Sequence, residues 1–197
     1  MKEIRKLDMQ FRATEDNDKM EIKGYAVVFN SPETYSYTEV IDEHALDDAD
    51  MSDVVLRYNH NDSFMVLART RNKSLNLSVD EKGLMIDAKL QDDISDHKNI
   101  YNAIKSGLID KQSFAFSVDE DEYDYDTDTR TITKIGKLFD VSVVDQPFYN
   151  ATDVSVARDI NNSDFLARRE QIRKEHEEKQ RLEELRKLKE SVLAKLG

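Results

Sequence analysis

The sequence contains no cysteine and only five glycines among its 197 residues. Without cysteine the chain can form neither a disulfide nor a thiolate zinc site, and a cysteine nucleophile is excluded. With so few glycines, no phosphate-binding glycine loop is present. We expect no cofactor.

Long apolar runs and a basic surface are absent as well. No stretch approaches the roughly 20 apolar residues that a membrane-spanning helix needs. No apolar run follows the first five residues (MKEIR), as a signal peptide would require. The net charge of −12 argues against a nucleic-acid-binding protein, which normally carries a basic face. We therefore predict a cytosolic protein whose partners are neither membranes nor nucleic acids.

The charge is distributed unevenly along the chain. Residues from Ser163 onward carry a net charge of +2, so the residues before them carry −14. The same segment is rich in Glu, Lys, Arg, Leu and Gln, and its last turns have apolar side chains at helical spacing. This change of composition predicts a domain of residues 1–158 and a charged helical tail of residues 159–197, suited to contact with a partner helix.

Residues 1–158 have the pattern of a β-rich domain. Apolar and polar residues alternate on both sides of a turn at 80–83, which predicts a β-hairpin. Helical spacing of apolar residues predicts a helix over 93–106, capped by Ser95, and a second, shorter helix is predicted over 43–50. The predicted strands are 22–30, 53–58, 75–79, 84–90, 112–125 and 130–144.

The last two strands give a geometric prediction, because they are joined by a turn at 126–129. If the connecting loop has two or four residues, the numbers of facing positions sum to 255. Ser113 then faces Ser142. Ala115 faces Asp140, and all four side chains share one face. Ser113 and Asp140 become diagonal neighbours about 7–8 Å apart at the backbone, with room for an imidazole between them. A three-residue loop would break this arrangement.

Three residues are candidates for nucleophilic chemistry. Ser113 alternates with Phe114 and Phe116, so it points away from the core if they face it. His60 follows a strand within a polar turn that can hold an imidazole as a general base. Asp140 is an acid inside an apolar strand and needs either a partner or water. The ordinary alternatives are a solvent-facing strand serine, a polar loop histidine and an edge-strand acid.

Other polar residues give weaker signals. The acidic run 119–128 (DEDEYDYDTD) could bind calcium, but it lacks the mid-loop glycine and terminal glutamate of an EF-hand. We predict that it is an exposed strand. His44, His97 and His176 are predicted to lie at the surface, and without a pair of histidines four residues apart a zinc site has little support.

In their order along the chain, several segments resemble the tailed-bacteriophage prohead proteases, the serine peptidases of capsid maturation. The resemblance covers roughly residues 1–158. This sequence departs from the family pattern with His44 for a small residue, Gln112 for Met, Ala115 for Gly and Asp140 for Glu. The segments that carry the resemblance are 24–29 (GYAVVF), 39–41 (EVI), 59–62 (NHND), 67–70 (LART), 83–84 (GL), 107–116 (GLIDKQSFAF) and 138–147 (LFDVSVVDQP).

The resemblance implies a catalytic triad of Ser113, His60 and Asp140, with the oxyanion donors in the loop near Asp145 and Gln146. It implies a fold similar to that of the herpesvirus assemblins: α+β, with a mostly antiparallel β-barrel-like core, a few flanking helices and then the C-terminal helical tail. The implied substrates are the major capsid protein with its scaffold segment, and the protease itself. Cleavage would occur in the host bacterial cytoplasm, inside the assembling prohead.

Two matters stay open at this point. A homo-oligomer is compatible with the sequence. The main alternative function is a non-enzymatic scaffold or assembly protein that acts through its helical tail, in which His60 and Ser113 are merely polar residues of a loop and a strand.

Overall fold

A computed structural model describes residues 2–7, 12–16, 19–34, 36–145 and 163–196. These residues form strands and two helices. The strands are β1 (Lys2–Leu7), β2 (Arg12–Asp16), β3 (Lys19–Val28), β4 (Glu33–Thr34), β5 (Thr38–Ile41), β6 (Val55–Tyr58), β7 (Ala68–Arg69), β8 (Leu75–Asp80), β9 (Gly83–Lys89), β10 (Lys111–Asp124) and β11 (Thr129–Val144). The helices are α1 (Ser95–Lys105) and α2 (Ser163–Leu196).

The strands form two sheets. The larger has seven strands: β1-β10-β11-β5-β4 run in order, β6 pairs in parallel with β11, and β7 pairs with β6. The smaller is antiparallel, in the order β2-β3-β9-β8. The α+β prediction is confirmed. The predicted barrel-like core is wrong for the described part of the chain, where neither sheet closes, because the strands at the two ends of each sheet do not pair with each other.

A single apolar core links the two sheets and α1. Phe114 and Phe116 of β10 stack with ring centroids 4.9 Å apart, and both are completely buried. Ile22 and Ile86 of the small sheet and Ile100 of α1 belong to the same cluster. Burying side chains of this size stabilises a fold by roughly 1.5–3 kcal/mol each. The aromatic side of β10 therefore faces the core, as the alternation with Ser113 predicts.

Most of the predicted elements are present, with one exception. The hairpin of β8 and β9 has the expected turn, with Asp80 paired to Gly83. The segment 43–50 forms turns instead of the predicted helix. Its backbone is drawn into the large sheet, since Ile135 donates to the carbonyl of Ala45 and Leu138 to that of Asp50. These bonds take carbonyl groups that a helix would use internally.

Two details of α1 differ from prediction. Its N-cap is Ile94, which makes no side-chain capping bond, so Ser95 is the first helical residue instead of the cap. His97 is only 3% exposed and lies inside the molecule, contrary to the prediction of a surface site. Its Nδ1 accepts the N–H of Gln91 at 3.0 Å and its Nε2 donates to the carbonyl of Val66 at 3.0 Å.

A buried group of charged side chains joins β1, β5 and β11. Arg130 donates to both carboxylate oxygens of Glu3, at 2.8 and 3.0 Å, and to Glu39 at 3.1 Å. Arg5 donates to Glu39 at 2.6 Å and to Glu3 at 2.5 Å. All four side chains are buried. Since losing one partner would leave an uncompensated charge out of water, this cluster fixes β1 against the sheet.

The predicted helical tail is confirmed as α2, and its first turns dock on the acidic hairpin of β10 and β11. Phe165 is buried beside Tyr37 and Tyr123, with ring centroids 4.8 and 5.6 Å away. Arg169 pairs with Asp128 at 2.5 Å. Farther along, three leucines of α2 are exposed to solvent: Leu182, Leu185 and Leu188. Neither helix in the described residues is long and apolar enough to cross a membrane.

Gln112 generates a stability prediction. It is completely buried, and neither atom of its amide has a hydrogen-bond partner in the described structure. An unpaired buried polar group costs about 1–3 kcal/mol. Gln112→Met removes that cost at similar length, so we expect the free energy of unfolding in urea to rise by about 1–3 kcal/mol. Gln91→Met, at an exposed position, is the control. An unchanged midpoint for Gln112→Met would contradict the prediction.

Candidate active site

His60 lies in a tight turn directly after β6. Tyr58, the last residue of β6, pairs with Val143 of β11. Asn59 and His60 follow. Both have a φ of 52°, which lies in the left-handed region that residues other than glycine seldom adopt. The N–H of Asn59 donates to the carbonyl of Val143 at 2.9 Å, and the N–H of His60 donates to Ser142 Oγ at 3.2 Å. This turn holds the histidine beside β11.

The pairing of β10 with β11 places the other candidates on one face. Ser113 pairs with Ser142, and Ala115 pairs with Asp140. This is the register that the sequence predicts.

The predicted turn is displaced by one residue, however. Asp124 pairs with Thr129, so the loop consists of residues 125–128, and the pairs next to it sum to 253 instead of 255. Irregularities between Ala115 and Asp121 change the register by two before the strands reach the site. Such bulges add unpaired residues to a strand. The bulges explain why the predicted pairing of Ser113 and Ala115 is right although the loop begins one residue earlier than predicted.

The imidazole of His60 joins Ser113 to Asp140. Its Nε2 is 2.6 Å from Ser113 Oγ, and its Nδ1 is 2.5 Å from Asp140 Oδ1. Ser113 is 0% exposed, Asp140 is 2% exposed and the His60 side chain is 11% exposed. This burial contradicts the alternatives of a solvent-facing serine and an edge-strand acid in water. In such a dry site hydrogen bonds are electrostatically stronger than in water.

Three further groups that the sequence analysis did not assign contact this site. Ser142 Oγ donates to Asp140 Oδ1 at 3.1 Å. Lys2 Nζ donates to Asp140 Oδ2 at 3.0 Å. The carbonyl of Arg5 accepts from Ser113 Oγ at 2.6 Å. The predicted register already put Ser142 on the correct face, whereas the pairing of β1 with β10 has no signal in the local pattern.

The contacts of Asp140 favour its ionised form. Burial alone opposes ionisation, but the hydrogen bond from His60 and the charges of His60 and Lys2 outweigh it. The pKa of Asp140 is therefore below its ordinary value. An ionised carboxylate at this place can orient an imidazole through Nδ1–H and stabilise its positive form.

The hydroxyl of Ser113 has one proton and two acceptors within reach, His60 Nε2 and the carbonyl oxygen of Arg5. When neutral His60 donates its Nδ1–H to Asp140, Nε2 is an acceptor and can take the proton of Ser113. When the Ser113 hydroxyl instead donates to the Arg5 carbonyl, Nε2 can contact Oγ only as a donor. The Arg5 carbonyl of β1 therefore competes with the imidazole for the hydrogen bond that the Ser113 hydroxyl donates.

The oxyanion donors expected near Asp145 and Gln146 are described only in part. The N–H of Asp145 donates to Asn59 Oδ1 at 3.2 Å, and its carboxylate accepts from the Tyr58 hydroxyl at 2.6 Å. Gln146 lies outside the described residues. In the structure as described, the amide of Asp145 already has a partner inside the chain.

Two carboxylates of the acidic run 119–128 pair with arginines of the chain. Asp121 binds Arg130 at 2.6 Å and also pairs with Arg168. Asp128 binds Arg169. Within the described ranges, no group of three or more His, Asp or Glu side chains is arranged to hold a metal ion. The calcium alternative therefore gains no support from these residues.

Asp140 generates a prediction on stability against pH. Because its pKa is lower in the folded chain, the ionised carboxylate stabilises the fold above the unfolded value of about 4, and this contribution is lost as the pH falls through the folded value. We expect Asp140→Asn to lower the free energy of unfolding by about 1.5–3 kcal/mol at pH 7. The deficit should shrink in acid. Urea titrations at several pH values measure it, with exposed Asp92→Asn as control. A deficit independent of pH would contradict this linkage.

Comparison with known proteins gives one match. A family model described as caudovirus prohead serine protease matches residues 7–165, which is most of the chain and includes His60, Ser113 and Asp140. Searches of curated proteins and of solved structures find no match. The resemblance seen in the sequence is thus confirmed over the part of the chain that contains the site. The chain belongs to the caudovirus prohead serine protease family.

Proposed function

We propose that the chain is a serine endopeptidase in which Ser113 is the nucleophile, His60 the general base and Asp140 the acid that orients His60. One observation carries this proposal. A single imidazole has a serine hydroxyl 2.6 Å from one nitrogen and a carboxylate 2.5 Å from the other. An activated nucleophile has this constellation, in which the base is itself oriented by a third group. Membership of a serine protease family supports the same roles.

The proposed reaction begins with neutral His60, which donates Nδ1–H to Asp140. Nε2 takes the proton from Ser113 as Oγ attacks the scissile carbonyl carbon, and a tetrahedral intermediate forms. The imidazolium then gives its Nε2 proton to the leaving amine, and an acyl-enzyme remains. Water then attacks the acyl carbon as the same nitrogen takes its proton. The bond from the acyl carbon to Oγ breaks, the carboxylic acid product leaves, and the imidazolium returns the proton to Ser113 Oγ. Asp140 stays ionised throughout, in keeping with its lowered pKa.

A protease of this family acts in capsid maturation, inside the prohead in the host cell. We propose in addition that the substrates are the scaffold segment of the major capsid protein and the chain itself. A homo-oligomer, with which the sequence is compatible, belongs to the same proposal. So does an assemblin-like arrangement of strands that does not close into a barrel, which rests on the family resemblance alone. The division into a protease domain of residues 1–158 and a tail of residues 159–197 is also a proposal. Its support is that every side chain of the site precedes the tail.

A second function has one specific observation in its favour. Leu182, Leu185 and Leu188 lie exposed on α2. Helical residues three apart are neighbours, and neighbouring apolar side chains exposed to solvent are typical of interaction sites. A scaffold or assembly protein that acts through this helix would need no hydroxyl at position 113.

The experiment compares wild type with Ser113→Ala. Both are incubated with a fluorophosphonate, which reacts with activated serine hydroxyls, and both are co-expressed with the major capsid protein. Intact mass spectrometry then detects adducts and cleaved chains. We expect wild type to gain one adduct at Ser113 and to cut the capsid protein. Loss of a triad nucleophile typically costs about 10⁶-fold in rate, so Ser113→Ala should show neither.

Ser117→Ala is the matched control, because Ser117 lies on the same strand and its Oγ accepts the N–H of Lys137 at 3.0 Å. It should behave as wild type. If wild type and Ser113→Ala are labelled equally and cut the capsid protein equally, Ser113 is not the nucleophile. Assembly that proceeds without cleavage by either protein would favour the scaffold function.

A further inference from the structure

We propose that Ser142 is a positioning residue of this site: its hydroxyl holds the backbone of His60 and the carboxylate of Asp140, and so keeps the imidazole aligned with Ser113. This inference rests on the proposed function. It assigns no contact with substrate to Ser142.

Three hydrogen bonds form a closed ring through Ser142, Asp140 and His60. His60 takes part in this ring with both its backbone N–H and its imidazole. The backbone N–H of His60 donates to Ser142 Oγ at 3.2 Å, and Ser142 Oγ–H donates to Asp140 Oδ1 at 3.1 Å. The same Oδ1 accepts from His60 Nδ1 at 2.5 Å. A hydroxyl has one proton and two lone pairs, so it can accept from an amide and donate to a carboxylate at once. Backbone and ring of His60 are thereby tied to each other.

The conformation of His60 gives this ring its importance. His60 and Asn59 both have a φ of 52°. Asn adopts this region more readily than most residues, whereas a histidine persists there only where its surroundings hold it. Two bonds from backbone N–H groups fix these residues to β11: the Asn59 N–H donates to the carbonyl of Val143, and the His60 N–H donates to Ser142 Oγ. Of the two, only the bond to Ser142 depends on a side chain.

The placement of Ser142 suits this role. It faces Ser113 across the β10–β11 ladder and is completely buried. Asp140 receives donors from Ser142, His60 and Lys2, so loss of the Ser142 hydroxyl removes one of these three. The imidazole would then adopt other orientations more often, and fewer molecules would have Nε2 aligned with the serine. A defect of this kind lowers the rate of the chemical step and leaves binding unchanged.

The test uses the full-length chain as wild type, Ser142→Ala and Ser142→Thr, with Ser117→Ala as the matched control. Each reacts with increasing concentrations of a fluorophosphonate, and intact mass gives the rate of adduct formation. The bond from Ser113 Oγ to phosphorus forms, the phosphorus–fluorine bond breaks, fluoride leaves and the proton passes to His60. Ser117 Oγ also accepts a backbone N–H, that of Lys137, but lies outside the ring.

We expect Ser142→Ala to lower the maximal rate by about 10- to 100-fold, the loss typical of a hydrogen bond to a charged group. The half-saturating concentration should be unchanged. Ser142→Thr restores the hydroxyl and should recover most of the rate. Proton NMR gives a second readout: the low-field Nδ1–H resonance of His60 should weaken in Ser142→Ala and return in Ser142→Thr.

The possible failures are distinguishable. A wild-type rate for Ser142→Ala, or a Ser142→Thr as slow as Ser142→Ala, overturns this inference and leaves the proposed function intact. Absence of any adduct at Ser113 in wild type overturns the proposed function, and the NMR resonance alone then decides the role of Ser142. If Ser142→Ala does not fold, Ser142→Cys, which keeps the volume but bonds weakly, takes its place in the same comparison.

Discussion

The pairing of β10 with β11 is the constraint on which the site depends. Side chains alternate across a sheet, so a slip of one residue would send Ser113 and Asp140 to opposite faces. The irregularities between Ala115 and Asp121 separate this register from the one next to the turn. On its other edge β11 pairs with β5 near the turn and with β6 near the site, and β6 leads directly to His60.

Charge buried at the edge of the large sheet connects the N-terminal strand to the site. Arg130 and Glu3 fix β1, and β1 in turn brings Lys2 to Asp140 and the carbonyl of Arg5 to Ser113. The first strand thus influences both the ionisation of the acid and the proton of the proposed nucleophile. Since Ser113 has no exposed surface, a peptide can reach it only when the groups around it move.

The first turns of α2 contact the β-rich part of the chain, although the composition of α2 differs from that of the residues before it. Phe165 packs between aromatic rings of the domain, and its ring lies 4.4 Å from the Arg130 guanidinium. Arg168 and Arg169 neutralise part of the acidic hairpin. The boundary predicted from charge therefore lies before a segment that docks back on the sheet, while the exposed leucines lie farther along α2. The family match, which ends at Phe165, includes the start of this docked segment.

The sequence by itself determined the β-rich part of the chain, the C-terminal helix and the shared face of Ser113, Asp140 and Ser142, because composition and alternation are local properties. The pairing of Ser113 with Ser142 also depends on the bulges between Ala115 and Asp121, which lie outside the local pattern. The order of short segments likewise sufficed for the family. Only the tertiary structure decided which polar side chains are buried. The local pattern gives no reason to bury Glu3, Arg5 or Arg130, and it predicts His97 at the surface, yet all four are buried. It also decided that residues 43–50 form turns and that β1 contributes to the site. These outcomes depend on contacts between residues far apart in the chain, such as Glu3 with Arg130, which are 127 residues apart, and Lys2 with Asp140, which are 138 residues apart. A local pattern does not contain the energies of such contacts.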